Sequence, residues 1–256
     1  METELNYGNW IRIRILIILG LVTLGLGALI FLPFGSTYRL IMTAVFLVVT
    51  LSFLFPLYSY YAFSQNGGRF QDKLYHLIIQ SLGDKLKGRI LDIGSGNGVL
   101  AVKLAQRFTD AEVTGLDYWG DDWEYSKQVC DANAQIGGVA TRVKFQKGDA
   151  GTMEFEHDTF DGVTSNLTFH EVKSVADKRK VLQEALRVVT PGGRFAFVDY
   201  FYEPKFYGQT SEFEQYLKNL NLSHFEYKPL KDLLDVPMLL RHPRILGRAG
   251  LIYGQK

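Results

Sequence analysis

The chain has 256 residues, with 28 Lys and Arg against 27 Asp and Glu and a formal net charge of +1. That balance, spread through the charged part of the chain, gives no support to a basic nucleic-acid face, and no nucleic-acid partner is expected. The single cysteine, Cys130, excludes an intrachain disulfide framework and a cysteine-rich zinc site, and fits a reducing compartment. His76, His157, His224 and His242 are scattered without metal-ligand spacing, so no metal centre is expected.

The average hydropathy hides a split. Residues before about Phe63 are nearly all apolar, and those after Gly68 carry almost all the charge. Residues 15–34 and 40–63 are two uncharged apolar runs, each near the roughly 20 residues that a helix needs to cross a bilayer core. In lipid such a run satisfies its backbone only as helix. The short polar linker at 35–37 predicts an antiparallel hairpin, with membrane helices over about 12–34 and 39–63 in an anchor covering residues 1–68. Gly25, Gly27 and Ala28 are the small residues available for close helix approach. Arg12, Arg14, Arg69 and Lys73 flank the hairpin's open end, while Arg39 alone lies by the turn. The positive-inside rule then puts both ends, and everything after residue 68, in the cytoplasm. Trp10, Tyr38, Tyr58, Tyr60 and Tyr61 sit where interfacial aromatics belong. A cleaved signal peptide is the competing reading of the first run. Its length, the lack of a small-residue cleavage site and the second span argue against it.

From Phe70 helix and strand signals alternate. Helical spacing of Leu74, Leu77, Ile78 and Leu82 ends at Gly83. Strands follow at 89–93, 112–116, 142–146, 160–165 and 194–199. Helices are expected at 99–108, 122–135 and 178–189, the last stopped by Pro191-Gly192-Gly193. Leu251-Ile252-Tyr253 reads as a final edge strand. This alternation predicts a mostly parallel sheet covered on both faces, with residues 69–256 as one α/β domain.

The first strand runs Ile90-Leu91-Asp92-Ile93 into Gly94-Ser95-Gly96-Asn97-Gly98, and a helix starts at once. In doubly wound sheets this turn contacts the ligand, and glycines let it approach the backbone. Asp117, about 20 residues beyond the glycines at the end of the second strand, suits a ribose diol. A nicotinamide dinucleotide loop wants a glycine where Val99 stands. The closer Gly-x-Gly-x-Gly spacing, with Asp92 upstream and Asp149 after the third strand, favours a sulfonium cofactor and leaves a nicotinamide oxidoreductase as a distant reading.

These stretches, with Gly115-Leu116-Asp117, Gly148-Asp149-Ala150, Phe160-Asp161-Gly162-Val163 and Leu186-Arg187-Val188-Val189-Thr190-Pro191-Gly192-Gly193, resemble the class I S-adenosylmethionine-dependent methyltransferase family. The likeness covers about residues 70–200 and is nearest to the group that methylates quinones and other small or lipid-like molecules. It implies a Rossmann-like, doubly wound, seven-stranded sheet and S-adenosylmethionine as cofactor. By the same resemblance Gly94, Gly96 and Gly98 pack on the methionine part, Ser95 and Asn97 belong to the same cofactor-binding turn, Asp92 lies near the ammonium, and Asp117 binds the ribose. Tyr118 and Trp119 flank the adenine or simply pack at the helix entry. Asp149 accepts from the exocyclic amine beside Ala150, and Asn166 and Leu167 complete the cofactor contacts.

The fourth strand runs into Asn166-Leu167-Thr168-Phe169, which lacks both prolines of the (Asp/Asn)-Pro-Pro-(Tyr/Phe) tetrapeptide of the family's DNA amino-methylating members. His170 is the candidate general base with Glu171 as its orienting partner. The other reading has His170 capping the next helix or packing beneath the cofactor. Phe201, Tyr202, Phe206, Tyr207, Phe213 and Tyr216 form either an acceptor pocket or ordinary core. Residues 239–248 mix basic and apolar side chains, as a lipid-facing surface or a solvated turn. The expected function is methyl transfer to a small, lipophilic or membrane-associated acceptor at a lipid bilayer, with the oligomeric state left open. A catalytically silent cofactor-binding scaffold in a membrane complex is the alternative.

Overall fold

Strand β1 (Gly88–Ile93) lies in the interior of a seven-stranded sheet, with Ile90, Leu91 and Ile93 buried on both of its faces. The computed structural model describes residues 4–120 and 125–256. Around β1 lie β2 (Ala111–Asp117), β3 (Val143–Lys147), β4 (Phe160–Asn166), β5 (Val189–Asp199), β6 (His224–Pro229) and β7 (Gly250–Gln255). The sheet order is β3-β2-β1-β4-β5-β7-β6. β1 pairs in parallel with β2 and β4, and β7 runs antiparallel to β5 and β6. This is the expected Rossmann-like, mostly parallel sheet. The order reverses between β1 and β4, and the crevice beyond their carboxyl ends is where such sheets bind ligands.

Helices α4 (Val99–Arg107), α5 (Lys127–Ile136) and α6 (Lys178–Arg187) connect these strands. α4 buries Leu100, Ala101, Leu104 and Ala105, and α6 buries Val181, Leu182, Ala185 and Leu186. Each such aliphatic side chain of Leu or Val size contributes roughly 1.5–3 kcal/mol on burial. α5 begins at Lys127, capped by Ser126 Oγ accepting from Val129 N. The expected start at Asp122 lies outside the described residues.

Two strand expectations are corrected. Leu251-Ile252-Tyr253 is not an edge, because β7 inserts between β5 and β6 and is paired on both sides. The edge is β6, whose half-buried residues give no apolar run. Pro191-Gly192-Gly193 does not separate helix from strand either. α6 ends at Arg187, β5 already pairs at Val189, and the Pro-Gly-Gly segment bulges out of the strand before pairing resumes at Arg194.

The chain divides into two compact units, Gly8–Asp72 and the remainder, and the remainder includes residues up to Tyr7. In the smaller unit α1 (Ile13–Leu29) and α2 (Ser36–Phe63) form the helical hairpin. Phe53 lies nearest a Cβ placed on Gly20, and Phe46 nearest one on Gly27. Partner numbers fall as the others rise, so the helices are antiparallel. Gly27 provides close approach as expected, but Gly25 faces open space and Gly20 takes its part. α1 stops at Leu29 although the apolar run continues to Phe34. Pro33 explains this, since it has no N–H to donate and disfavours helical backbone at Leu32. α2 starts earlier than expected and contains Ser36 and Thr37. α3 (Phe70–Ser81) follows, and Gly83 takes a left-handed turn beyond its end, at φ +82°.

Candidate active site

The turn after β1 is shaped by three left-handed glycines, Gly94, Gly96 and Gly98, at φ +75°, +57° and +76°. A side chain on Gly94 would put Cβ 1.9 Å from Thr168 Oγ1, and one on Gly98 would meet the Phe145 ring at 2.6 Å. Gly96 has room, with Tyr125 nearest at 3.5 Å. Backbone bonds fix the turn, with Gly94 N and Ser95 N donating to Leu116 O at 2.7 and 3.1 Å, and Gly98 N to Ser95 O at 2.7 Å. Ser95 Oγ donates to Asp92 O at 3.0 Å, so its hydroxyl belongs to the turn.

Asp92 sits beneath this turn with 1% exposure. Its Oδ1 accepts from Thr164 Oγ1 at 3.0 Å, while Oδ2 has no partner. Burial pushes its carboxyl up to about 7, against the Thr164 and Ser95 hydrogen bonds that lower it. Asn166, at the carboxyl end of neighbouring β4, also keeps a buried, unpartnered Oδ1. Two orphaned acceptors at the ends of adjacent strands are an unmet demand for a donor. The next residue, Leu167, is held at φ +53°. An aliphatic side chain in that conformation stores on the order of 1–3 kcal/mol, a strain that concentrates at functional sites.

Asp117 ends β2 facing the glycines. Gly96 N donates to its Oδ2 at 2.7 Å and Trp119 N to its Oδ1 at 2.9 Å. Each oxygen keeps a second lone pair for another donor. Burial raises its pKa against these backbone bonds. Trp119 takes φ +41° and donates from Nε1 to Gly96 O at 2.9 Å, so its indole is tied to the glycine turn. Tyr118 is 64% exposed, with Lys147 Nζ 5.2 Å from its ring centre. Asp149 Oδ1 accepts from Gly151 N at 2.7 Å and Ser174 Oγ at 2.9 Å, and Ala150 joins the core.

Beyond β4 a short 3-10 turn (Phe169–Glu171) carries His170. Its Nδ1 lies 2.5 Å from Asp199 Oδ1, and its backbone N donates to Asp199 Oδ2 at 2.8 Å. Asp199 is fully buried at the end of β5 and also accepts from Tyr200 N at 2.7 Å and Tyr207 hydroxyl at 2.9 Å. Burial disfavours the imidazolium, but the Asp199 and Glu171 carboxylates outweigh it and push His170 up to about 9. Glu171, the expected orienting partner, lies instead on the other nitrogen, Nε2, at 3.4 Å. The rings of Tyr200 and Phe206 flank the imidazole at 4.5 and 5.5 Å.

Sequence reasoning missed Asp199, Thr164 and Asn133, and it named Tyr207 only as one of the aromatic group, without its bond to Asp199. Asp199 carried the signal that singled out Asp117, a carboxylate at the carboxyl end of a parallel strand. Of the aromatic group, Phe201, Tyr207 and Phe213 are core, packed together with ring centres 4.9–5.7 Å apart, Phe201 stacked on Phe213 and Tyr207 tilted against both. Phe206 alone of the six meets His170. In 239–248, Leu240 and Leu246 are buried, and Arg248 pairs with Glu203 at 2.7 Å.

Residues 84–233 match a family model described as a methyltransferase domain. The ubiquinone/menaquinone biosynthesis C-methyltransferase of Geotalea daltonii is 33% identical over 120 residues, which is 46% of this chain and 48% of that protein. A demethylmenaquinone methyltransferase of Thermus thermophilus is 33% identical over 122 residues, 48% of this chain and 51% of that one. The chain thus spans about half the length of these curated relatives. Among solved structures, the YcgJ protein of Bacillus subtilis superposes with a TM-score of 0.50 at 22% identity, over 72% of this chain and 98% of that one. A geranyl diphosphate methyltransferase in complex with GPP and sinefungin gives 0.53 at 16% identity, over 73% and 79%. These likenesses show the shared fold. By the match over residues 84–233, the chain belongs to the class I S-adenosylmethionine-dependent methyltransferases.

Proposed function

We propose that this methyltransferase moves the methyl group of S-adenosylmethionine to a small, lipophilic acceptor drawn from a membrane. The observation that carries the cofactor site is the buried Asp92 with its unpartnered Oδ2, beneath the glycine turn, with the unpartnered Asn166 Oδ1 at the end of the adjacent strand. An ammonium donor satisfies both oxygens, and its positive charge favours the ionised form of Asp92. Gly94, Ser95, Gly96, Asn97 and Gly98 form the wall for the methionine part, with Leu167 at its rim. The free lone pairs of Asp117 suit the ribose diol. Tyr118, Trp119, Asp149 and Ala150 line the adenine end.

The cofactor supplies an activated methyl group, so the chain's residues position the acceptor and manage its proton. In-line placement contributes roughly 7–11 kcal/mol, and a base a further 10²–10⁴-fold. His170 is the base, oriented through Nδ1 by Asp199, so that Nε2 would take the acceptor's proton as the acceptor–methyl bond forms and the sulfonium's C–S bond breaks, its electron pair leaving with the neutral thioether. Glu171, beside Nε2, releases that nitrogen when the acceptor enters. Tyr200 and Phe206 give the acceptor an apolar edge. The names of the relatives, two of them quinone-pathway methyltransferases, favour a ring-bearing lipid-soluble acceptor.

Membrane anchoring is part of this reading. α2 has 28 residues, a window of mean hydropathy 2.5 and no burial within that window. At 1.5 Å per residue it exceeds a hydrocarbon core of about 30 Å, while the 17-residue α1 falls short and accompanies it. Both arginine-flanked ends, and residues 69–256, lie on the cytoplasmic side under the positive-inside rule.

The test is calorimetric titration of the full chain with S-adenosylmethionine, then incubation with methyl-labelled cofactor and a membrane lipid extract. Binding followed by label in an extractable lipid is the expected result. No binding at millimolar cofactor overturns the cofactor site. Binding without transfer to any extract component favours the silent scaffold.

A further inference from the structure

The first described residues fold back onto the glycine turn. The backbone of Asn6 pairs with the side-chain carboxamide of Asn133 on α5. Asn6 N donates to Asn133 Oδ1 at 2.8 Å, and Asn133 Nδ2 donates to Asn6 O at 2.9 Å. The second hydrogen of Nδ2 goes to Asn97 O in the glycine turn, at 2.8 Å. Asn97 Nδ2 reaches Asn6 Oδ1 at 3.4 Å. Tyr7 then stacks on Tyr75, with ring centres 6.0 Å apart, and Lys103 Nζ lies 5.8 Å from the Tyr7 ring centre.

Asn133 is 1% exposed. A buried carboxamide costs free energy unless its donors and acceptor are matched. All of its hydrogens and its oxygen are matched here only while residue 6 is docked and Asn97 holds its present place. One side chain therefore joins segments 127 and 36 residues away in sequence. From the same helix, Cys130 Sγ donates to the adjoining Gly96 O at 3.1 Å. The back of the glycine turn is thus held by α5 and, through Asn133, by residues 4–7.

We propose that residues 4–7 are a strap that sets the geometry of the cofactor turn, with Asn133 as the positioning residue that couples the two. This rests on the reading of residues 94–98 as the cofactor site. A docked strap keeps Asn97 and its flanking left-handed glycines in the binding-competent arrangement, so cofactor affinity includes no cost for ordering them. The strap continues through residues 8–12 into α1. The stretch that ties the turn and the stretch proposed to enter lipid are therefore one piece of chain, and strap release lowers cofactor affinity by freeing the turn around Asn97 rather than by removing a residue that contacts the cofactor.

The test compares the full chain with Asn6→Ala, Asn6→Pro and a deletion of residues 2–7, in the same detergent micelles. Asn6→Ala keeps both backbone bonds to Asn133 and is expected to bind S-adenosylmethionine within about twofold of the parent. Asn6→Pro removes the N–H, and the deletion removes the strap. Each is expected to raise Kd about tenfold, the size of one or two lost hydrogen bonds, with KM for cofactor rising and kcat unchanged. Amide exchange of Gly96, Asn97 and Gly98 without cofactor is expected to quicken in these two variants alone. Parent-like Kd and exchange in the deletion overturn the strap. A parent that does not bind cofactor overturns the site assignment instead, and exchange then decides the strap, equal rates sinking it.

Discussion

His170 Nδ1 and Asp199 Oδ1 lie 2.5 Å apart at the carboxyl ends of β4 and β5. Tyr207 and two backbone N–H groups also bond the same carboxylate. The pair holds Nδ1, leaves Nε2 as the imidazole nitrogen beside Glu171, and raises the pH at which the ring gives up its proton.

With His170 held up to about 9, kcat/KM for cofactor, which reports the free enzyme, is expected to rise tenfold per pH unit from 7 and level off near 9. At saturating cofactor the sulfonium charge pulls the rise to lower pH. Asp199→Asn is expected to lower kcat about 100-fold and move the rise below pH 7. An unchanged profile in that variant removes His170 as the base. The stability linkage has the same origin. A folded-state pKa raised above 6.5 gives stabilisation that is complete below pH 6.5 and lost as pH climbs through 9. Thermal melts of the parent, but not of Asp199→Asn, should carry that loss.

Asp92 has the opposite relation to folding. Its carboxyl is raised from 3.8 to about 7, so the folded chain keeps a proton that the unfolded chain releases. Stability contributed there falls as pH rises from 3.8 to 7 and stays low above 7. Asp92→Asn is therefore expected to raise Tm by several degrees at pH 8, to match the parent near pH 4, and to lose cofactor binding in calorimetry. A variant no more stable at pH 8 refutes the buried-charge account.

Gly94 and Gly138 are both left-handed, at φ +75° and +70°. Gly138→Ala meets nothing within 4 Å and costs only the backbone strain of about 1–2 kcal/mol. Gly94→Ala adds a collision with Thr168. Denaturant melts should show a small loss for the first, and titration should show cofactor Kd kept. The second should lose at least tenfold in affinity.

Val48 and Leu51 are 63% and 68% exposed on α2. Alkaline carbonate extraction of cell membranes should leave the parent in the pellet. A Val48→Arg, Leu51→Arg double variant, carrying about 2.5–3.5 kcal/mol per charge at the bilayer centre, should move to the supernatant. Parent chain released by carbonate would refute a spanning α2.

The parallel strands were legible because strands buried on both faces read as short apolar runs, and because each of the first two carries an aspartate at its last or second-last position before the turn. Asp92, Asp117 and the glycines 94–98 were visible for that reason. The placement of β7 was not, since Leu251, Ile252 and Tyr253 report burial but not which strands lie on either side. Nor was the break in α1, where composition stays apolar past Leu29 while backbone sterics at Pro33 end the helix. Asn133 was silent for another reason. A polar residue inside an amphipathic helix reads as surface, and its partners Asn6 and Asn97 are set by the tertiary fold. His170 was found, but its partner lies 29 residues on and only the neighbouring of β4 and β5 joins them.

The placement of β7 has a consequence for biosynthesis. Strands β1 to β5 can assemble against one another as the ribosome delivers them. β6 has no neighbour other than β7, and until β7 is made the outer side of β5 is an open edge with Phe195 and Phe197 beside it. A nascent chain at that stage, with its apolar hairpin already synthesised, presents both a sticky strand edge and an exposed apolar helix. Early delivery to the membrane would keep the two apart, and mislocalised chains should be the ones that aggregate.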